Sequence, residues 1–186
     1  MGSAQHQLLF AAIVGALLGF WLCVSVNGHQ LPVFAQDNCL SGSVEAVISP
    51  GADGKMIPLI ESAERSIHIT LFEFSYSNLK EALVKAAARG VEVKLILDPK
   101  VGQNLDTADF LSGKGIIVRW SSPKFNYTHA KTAIIDRKKV LTGSINWSRN
   151  AMQRNREIGV IVENAELAGE LEKVFESDWS NGSEAK

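Results

Sequence analysis

A histidine and a lysine stand two residues apart in the run His129-Ala130-Lys131-Thr132-Ala133-Ile134-Ile135-Asp136. After a short basic turn comes Gly143-Ser144-Ile145-Asn146-Trp147-Ser148. On a strand, alternation puts His129 and Lys131 on one face. A hairpin turning at residues 136–139 brings Asn146 beside Lys131. One strand face then presents an imidazole, an ammonium and an amide. These groups suit a phosphate ester. Lysine and asparagine can bind the non-bridging oxygens and stabilise charge in the transition state. A neutral imidazole can attack phosphorus and hold the phosphoryl group covalently.

The leaving oxygen then needs a proton from a second group in the opposite protonation state. The chain has four histidines. His6 and His29 belong to the N-terminal segment, and His68, in the middle of Ser-Ile-His-Ile-Thr, reads as a structural residue. A second imidazole, where the reaction requires one, must come from another copy of His129. A two-fold axis through the site would supply it. No metal site can be built here, because His129 has no second His or Cys near it and lysine is not a usual ligand.

The pattern His129-x-Lys131-x4-Asp136-x6-Gly143-Ser144-x-Asn146 resembles the HKD motif of the phospholipase D superfamily at every defining position. Residues 83–93 resemble the helix–strand unit that precedes the motif in that family. Asn155-Arg156-Glu157-Ile158-Gly159 resembles the segment that follows it. The similarity covers roughly residues 43–180. A single motif in a short chain resembles the small Nuc-type endonucleases and the mitochondrial phospholipase-D-like proteins. The resemblance implies a homodimer with one active site at the two-fold interface, and no metal or cofactor. It implies His129 of one subunit as nucleophile and His129 of the other as general acid. Lys131 and Asn146 would hold the phosphate, with a hydroxyl contact from Ser144. Glu157 would bond an imidazole and set its tautomer. Asp136 is a motif residue that either serves the reaction or organises the hairpin. Each residue type is common alone in strands and turns; together, at this spacing, they point to a site.

The positioning elements follow from periodicity. Strands are predicted at residues 44–49, 66–74, 91–97, 115–120, 130–136, 140–142 and 157–163. Helices are predicted at 56–65, 78–89, 107–112 and 165–179. Asn78 with Glu81 reads as a capping box, and Gly90 as the stop of that helix. Leu79, Ala82, Leu83, Ala86 and Ala87 mark its buried stripe. The fold class is therefore α/β, a mixed sheet flanked by helices and preceded by an N-terminal hydrophobic helix. No internal repeat is visible, and the end from Ser180 reads as a frayed tail, 181–186.

Charge is segregated although the formal net charge is only −1. Residues 114–156 carry ten Lys or Arg and one acid, Asp136, a balance of +9. Such a block suggests a surface that meets an anion. With 46% hydrophobic residues the chain is too apolar to be disordered. Two cysteines, Cys23 and Cys39, exclude a disulfide scaffold or a Cys-rich zinc site.

Residues 8–26 form an uncharged apolar run long enough to cross a bilayer. Residues 1–35 read equally as an uncleaved anchor or as a signal peptide cut near Ala35, with 36–42 as linker. The first leaves the domain tethered to a membrane; the second makes it periplasmic or secreted. Gly15 and Gly19 form a small-xxx-small pattern that would pack two anchors. His6 stands where a myristoylation signal needs Ser or Thr. Three glycosylation-type triplets begin at Asn126, Asn146 and Asn181, and modification of Asn146 would block the site.

The favoured substrate is nucleic acid, cut without sequence preference through backbone contacts. Trp120, Phe125, Tyr127 and Trp147 are interleaved with the bases and could stack on nucleobases, although Trp147 reads as core. The alternative is an anionic phospholipid such as cardiolipin, met by the same cations. A third class, a non-catalytic binding protein, fits poorly with a complete motif.

Overall fold

The computed structural model describes residues 42–185. The expected hydrophobic helix and the signal or anchor segment, residues 1–35, lie outside the described residues. Among the described residues no helix is long and apolar enough to cross a membrane.

The elements run β1 (Val44–Ser49), α1 (Asp53–Glu61), β2 (Ser66–Leu71), α2 (Ser77–Ala88), β3 (Glu92–Leu97), α3 (Gln103–Ser112), β4 (Ile117–Trp120), β5 (Lys131–Ile135), β6 (Lys139–Gly143), α4 (Arg149–Gln153), β7 (Glu157–Glu163), α5 (Ala165–Asn181) and β8 (Ser183–Glu184). They build one eight-stranded sheet in the order β1-β7-β6-β5-β2-β3-β4-β8. β2, β3 and β4 are parallel, joined by the α2 and α3 crossovers; the other pairings are antiparallel. The sheet is mixed and helix-flanked, as its alternating strand and helix patterns require.

Strand alternation sends successive side chains to two different layers. Ile67, Ile69 and Leu71 of β2, with Leu95 and Leu97 of β3, pack on Met56, Ile60, Leu79 and Leu83 of α1 and α2. The opposite face carries Ile96, Ile134 and Val140, covered by Ala168 and Phe175 of α5. Toward β1 that face is open: Val44, Ile48 and Ile158 are half or more exposed. Beside them Thr70, Thr132, Thr142, Val160 and Ala46 form a row across five strands.

Several boundaries depart from the periodic reading. α1 stops at Glu61, short of the expected residue 65, because the N–H groups of Glu64, Arg65 and Ser66 donate to the Asp136 carboxylate instead of to helix carbonyls. β2 ends at Leu71, short of Phe74, whose N–H is taken by Asn104 Oδ1 at 2.9 Å and whose carbonyl accepts Thr107 Oγ1. α2 begins at Ser77 with Tyr76 at its N-cap and no side-chain cap; Asn78 donates to the Tyr76 hydroxyl instead. Gly90 does end that helix in the left-handed region, at φ +91°. Ala87 is only half-buried, unlike the other four residues of the expected stripe.

α3 starts four residues before the expected Thr107, and α4, capped by Ser148, was not expected. The expected tail is also corrected. α5 runs to Asn181, and Ser183–Glu184 adds an edge strand to β4. Arg119 fastens that turn by donating to the Gly182 carbonyl at 3.0 Å.

Candidate active site

His129 and Lys131 lie where β5 begins, next to the carboxyl ends of parallel strands β2, β3 and β4, the end at which open α/β sheets bind ligands. Lys131 is 8% exposed, whereas His129 is exposed just ahead of the strand. The Lys131 Nζ donates to the His129 carbonyl at 2.8 Å and lies 3.1 Å from His129 Nδ1. The imidazole rests on Phe72, ring centroids 4.4 Å apart and tilted by 51°. The ammonium also stands 5.1 Å from the Phe72 centroid.

The β5–β6 hairpin pairs Thr132 with Thr142 and sets Gly143 at the same sheet end as Lys131. Its turn holds Asp136 and Arg137 at φ +54° and +55°, the primed type that matches strand twist. Gly143 has φ +152°, and a Cβ there would lie 2.4 Å from Gly159 Cα. That contact lets the chain cross β7 closely and present Ser144 and Asn146. Asn146 sits between the core residues Ile145 and Trp147, and the Trp147 N–H donates to the Glu73 carbonyl at 3.0 Å. The Asn146 Oδ1 and the Thr128 Oγ1 are buried with no hydrogen-bond partner among the described residues.

The Ser144 hydroxyl donates to Glu157 Oε2 at 2.6 Å, and Asn155 Nδ2 donates to Oε1 at 3.2 Å. Within one chain Glu157 thus meets Ser144 and Asn155 rather than the expected imidazole. Burial pushes the Lys131 ammonium below the ordinary lysine value, and the Glu157 and Glu73 carboxylates oppose that shift.

Asp136 stands apart from this group. It lies at the other end of β5, five residues from Lys131 and so roughly 17 Å away along the strand. Its Oδ1 accepts Arg65 and Ser66 N–H at 2.7 and 2.9 Å, and its Oδ2 accepts Glu64 N–H at 3.0 Å. Burial would raise this carboxyl, but the three backbone donors and Arg65 outweigh it and hold it below the ordinary value. In the structure the Asp136 carboxylate ties the hairpin turn to the α1–β2 connection.

The +9 block is likewise not one surface. Arg137, Lys138 and Lys139 lie at the hairpin turn, far from His129, and Arg137 pairs with Glu172 at 3.2 Å. Lys131, Lys124, Arg154 and Arg156 lie in or near the segments at the His129 end, with Lys100 from outside the block. Of the four interleaved aromatics, Trp147 is buried as expected and Trp120 is partly buried. Phe125 and Tyr127 are half exposed, and Tyr127 meets the Phe72 ring edge-on at 5.9 Å. Lys100 lies over the Tyr127 ring and donates to the Asn126 carbonyl.

Phe72, Asp98 and Asn104 were not expected at the site. The only sequence signal was the strand-ending Asp98-Pro99; Phe72 was absorbed into a longer strand. His68 is structural, as expected, on the α5 face. It is 2% exposed, with Nδ1 2.7 Å from Glu172 and Nε2 3.0 Å from Glu92. His68, Glu172 and Glu176 offer ligand atoms within 4.8 Å of one another. Arg137 on Glu172 and Lys94 near Glu176 already compensate these carboxylates.

A family model described as cardiolipin synthase, PLD-like domain, matches residues 56–179. The chain is 29% identical to a mitochondrial cardiolipin hydrolase of Mus musculus, over 96% of this chain and 92% of that protein. It spans only 49% of the counterpart from Canis lupus familiaris. Identity to a phospholipase D of Rickettsia prowazekii is 31%, covering 77% of this chain and 71% of the relative. The crystal structure of Nuc from Salmonella typhimurium, a phospholipase D family member, superposes with TM-score 0.73 at 30% identity, over 77% of this chain and 97% of Nuc. This chain belongs to the phospholipase D superfamily and is a phosphodiester hydrolase.

Proposed function

We propose that two copies of this chain form one phosphodiesterase site that cleaves nucleic acid through a phosphohistidine. One His129 attacks phosphorus through Nε2 as the bond to the leaving oxygen breaks, and the partner's His129 gives that oxygen its proton. The same partner imidazole then takes a proton from water. The water oxygen attacks phosphorus, forming the new P–O bond as the P–N bond breaks and the first imidazole is freed. Lys131 and the Asn146 amide hold the non-bridging oxygens, where charge accumulates.

One observation carries this reading: an exposed imidazole rests against a buried ammonium at the binding end of the sheet. Among the described residues the other histidine, His68, is on the far face and engaged by two carboxylates. The second proton donor therefore comes from another copy. The open face around Ile48 and Ile158 and the threonine row beside the site support pairing, as do the unspent Asn146 Oδ1 and Thr128 Oγ1. Half-exposed Phe125 and Tyr127 support nucleic acid, because bases stack on such rings.

The second reading, hydrolysis of an anionic phospholipid, is favoured by the relatives' names. A panel of DNA, RNA and cardiolipin vesicles, given to full-length protein and His129→Ala, separates the two. We expect nucleic-acid cleavage that His129→Ala abolishes. Lipid hydrolysis without nucleic-acid cleavage would overturn the nuclease reading, and an active monomer would overturn the shared site.

A further inference from the structure

Asp98 closes β3 with a carboxyl group that is 2% exposed and that the proposed reaction does not use. Its two oxygens are both occupied by backbone donors. Lys100 N–H donates to Oδ1 at 2.8 Å, and Thr128 N–H donates to Oδ2 at 2.7 Å. The first bond is a local turn of the kind aspartate often makes. The second reaches thirty residues along the chain to the residue immediately before His129.

Asn104, fully buried, holds the other wall. Its Nδ2 donates to the carbonyls of Asp98 and Phe72, both at 2.8 Å, and its Oδ1 accepts the Phe74 N–H at 2.9 Å. Phe72 is the ring on which the imidazole rests. The segment that carries His129 and the ring beneath it are thus tied to one point, the end of β3.

We propose that Asp98 is the positioning residue of His129, fixing through the Thr128 N–H where the imidazole stands while Asn104 fixes Phe72 under it. This rests on the reading of His129 as nucleophile. A carboxylate is needed because two N–H groups must be received at once. An amide offers one oxygen, and its NH2 would face a donor. Charge-assisted bonds are also the stronger ones, which suits a loop that must not drift. Without the bond at Oδ2 the loop is free to shift, and a displacement of about 1 Å costs on the order of 100-fold in rate.

The test uses full-length protein and the small diester bis(4-nitrophenyl) phosphate, with wild type, Asp98→Asn, Asn104→Ala and His129→Ala. We expect Asp98→Asn, folded by circular dichroism, to lose roughly 10- to 100-fold in kcat. KM should stay near wild type, and the imidazole-dependent limb of the pH profile should move. Asn104→Ala should act in the same direction. Wild-type kcat and pH profile in folded Asp98→Asn, beside an inactive His129→Ala, would overturn the inference and leave the nucleophile standing. Activity in His129→Ala would overturn the nucleophile assignment itself. A variant-free check is the Thr128 amide of wild type. Strong protection from hydrogen exchange is expected, and exchange at open-loop rates would overturn the proposal.

Discussion

The ammonium of Lys131 sits 3.1 Å from Nδ1 of His129 while also bonding the His129 carbonyl at 2.8 Å. The two side chains of the motif touch before any substrate is present. If Nζ donates to Nδ1 across this contact, the proton of a neutral ring sits on Nε2. In the proposed reaction, the ring would have to move that proton before Nε2 could attack. A phosphate that draws Nζ toward its own oxygens frees Nδ1 to accept the proton.

Replacing Lys131 by Met keeps the stem and removes the charge. Cleavage should fall by about 100-fold or more in kcat, the size of a lost transition-state donor. Because burial sets the ammonium below the ordinary value of 10.5, the wild-type alkaline limb should begin below that pH. Steady-state rates from pH 6 to 10 check both; an unchanged limb in Lys131→Met would show that another group sets it.

Asp136→Asn tests hairpin organisation. The mutant should be less stable at pH 7 by about 1–3 kcal/mol, the cost of buried donors left poorly paired. The native carboxyl is held below its ordinary 3.8, so its stabilisation is fully present above that value. It is lost as the pH falls through the lower native value. Urea unfolding at pH 7 and pH 3 should therefore show the gap narrowing in acid. Activity per folded molecule should follow the folded fraction.

His68→Ala removes a side chain engaged by Glu172 and Glu92 and leaves Glu172 buried beside Arg137. Thermal denaturation should report a loss of about 1–3 kcal/mol, the cost of leaving a buried polar partner without its hydrogen bond. kcat should stay near wild type, since this cluster lies on the opposite face of the sheet.

Gly143→Ala would place a methyl 2.4 Å from Gly159 Cα in a backbone conformation that disfavours a side chain. Ser144 and Asn146 lie just beyond it. We expect at least 10-fold lower kcat together with a lower melting temperature. A variant equal to wild type in both would mean that the strand crossing is loose.

Residue type and spacing were enough to single out His129, Lys131, Ser144, Asn146 and Glu157 as candidates, and to predict the helix-flanked mixed sheet that the structure shows. Two-residue alternation and a hairpin span are local properties, which a sequence displays directly. Tertiary contacts decided the rest. Glu61 ends its helix because a carboxylate 75 residues downstream captures the next N–H groups, a pairing no local propensity contains. The +9 block looked like one field in one dimension, but the hairpin carries its turn to the far end of the sheet. Asp98 and Asn104 were silent because they act through backbone groups of distant residues. Hydrogen bonds across thirty positions arise only when β2, β3 and the loop before β5 meet. Residue chemistry marks which groups can react with a phosphate diester, and the folded chain decides which of them meet and what holds them still.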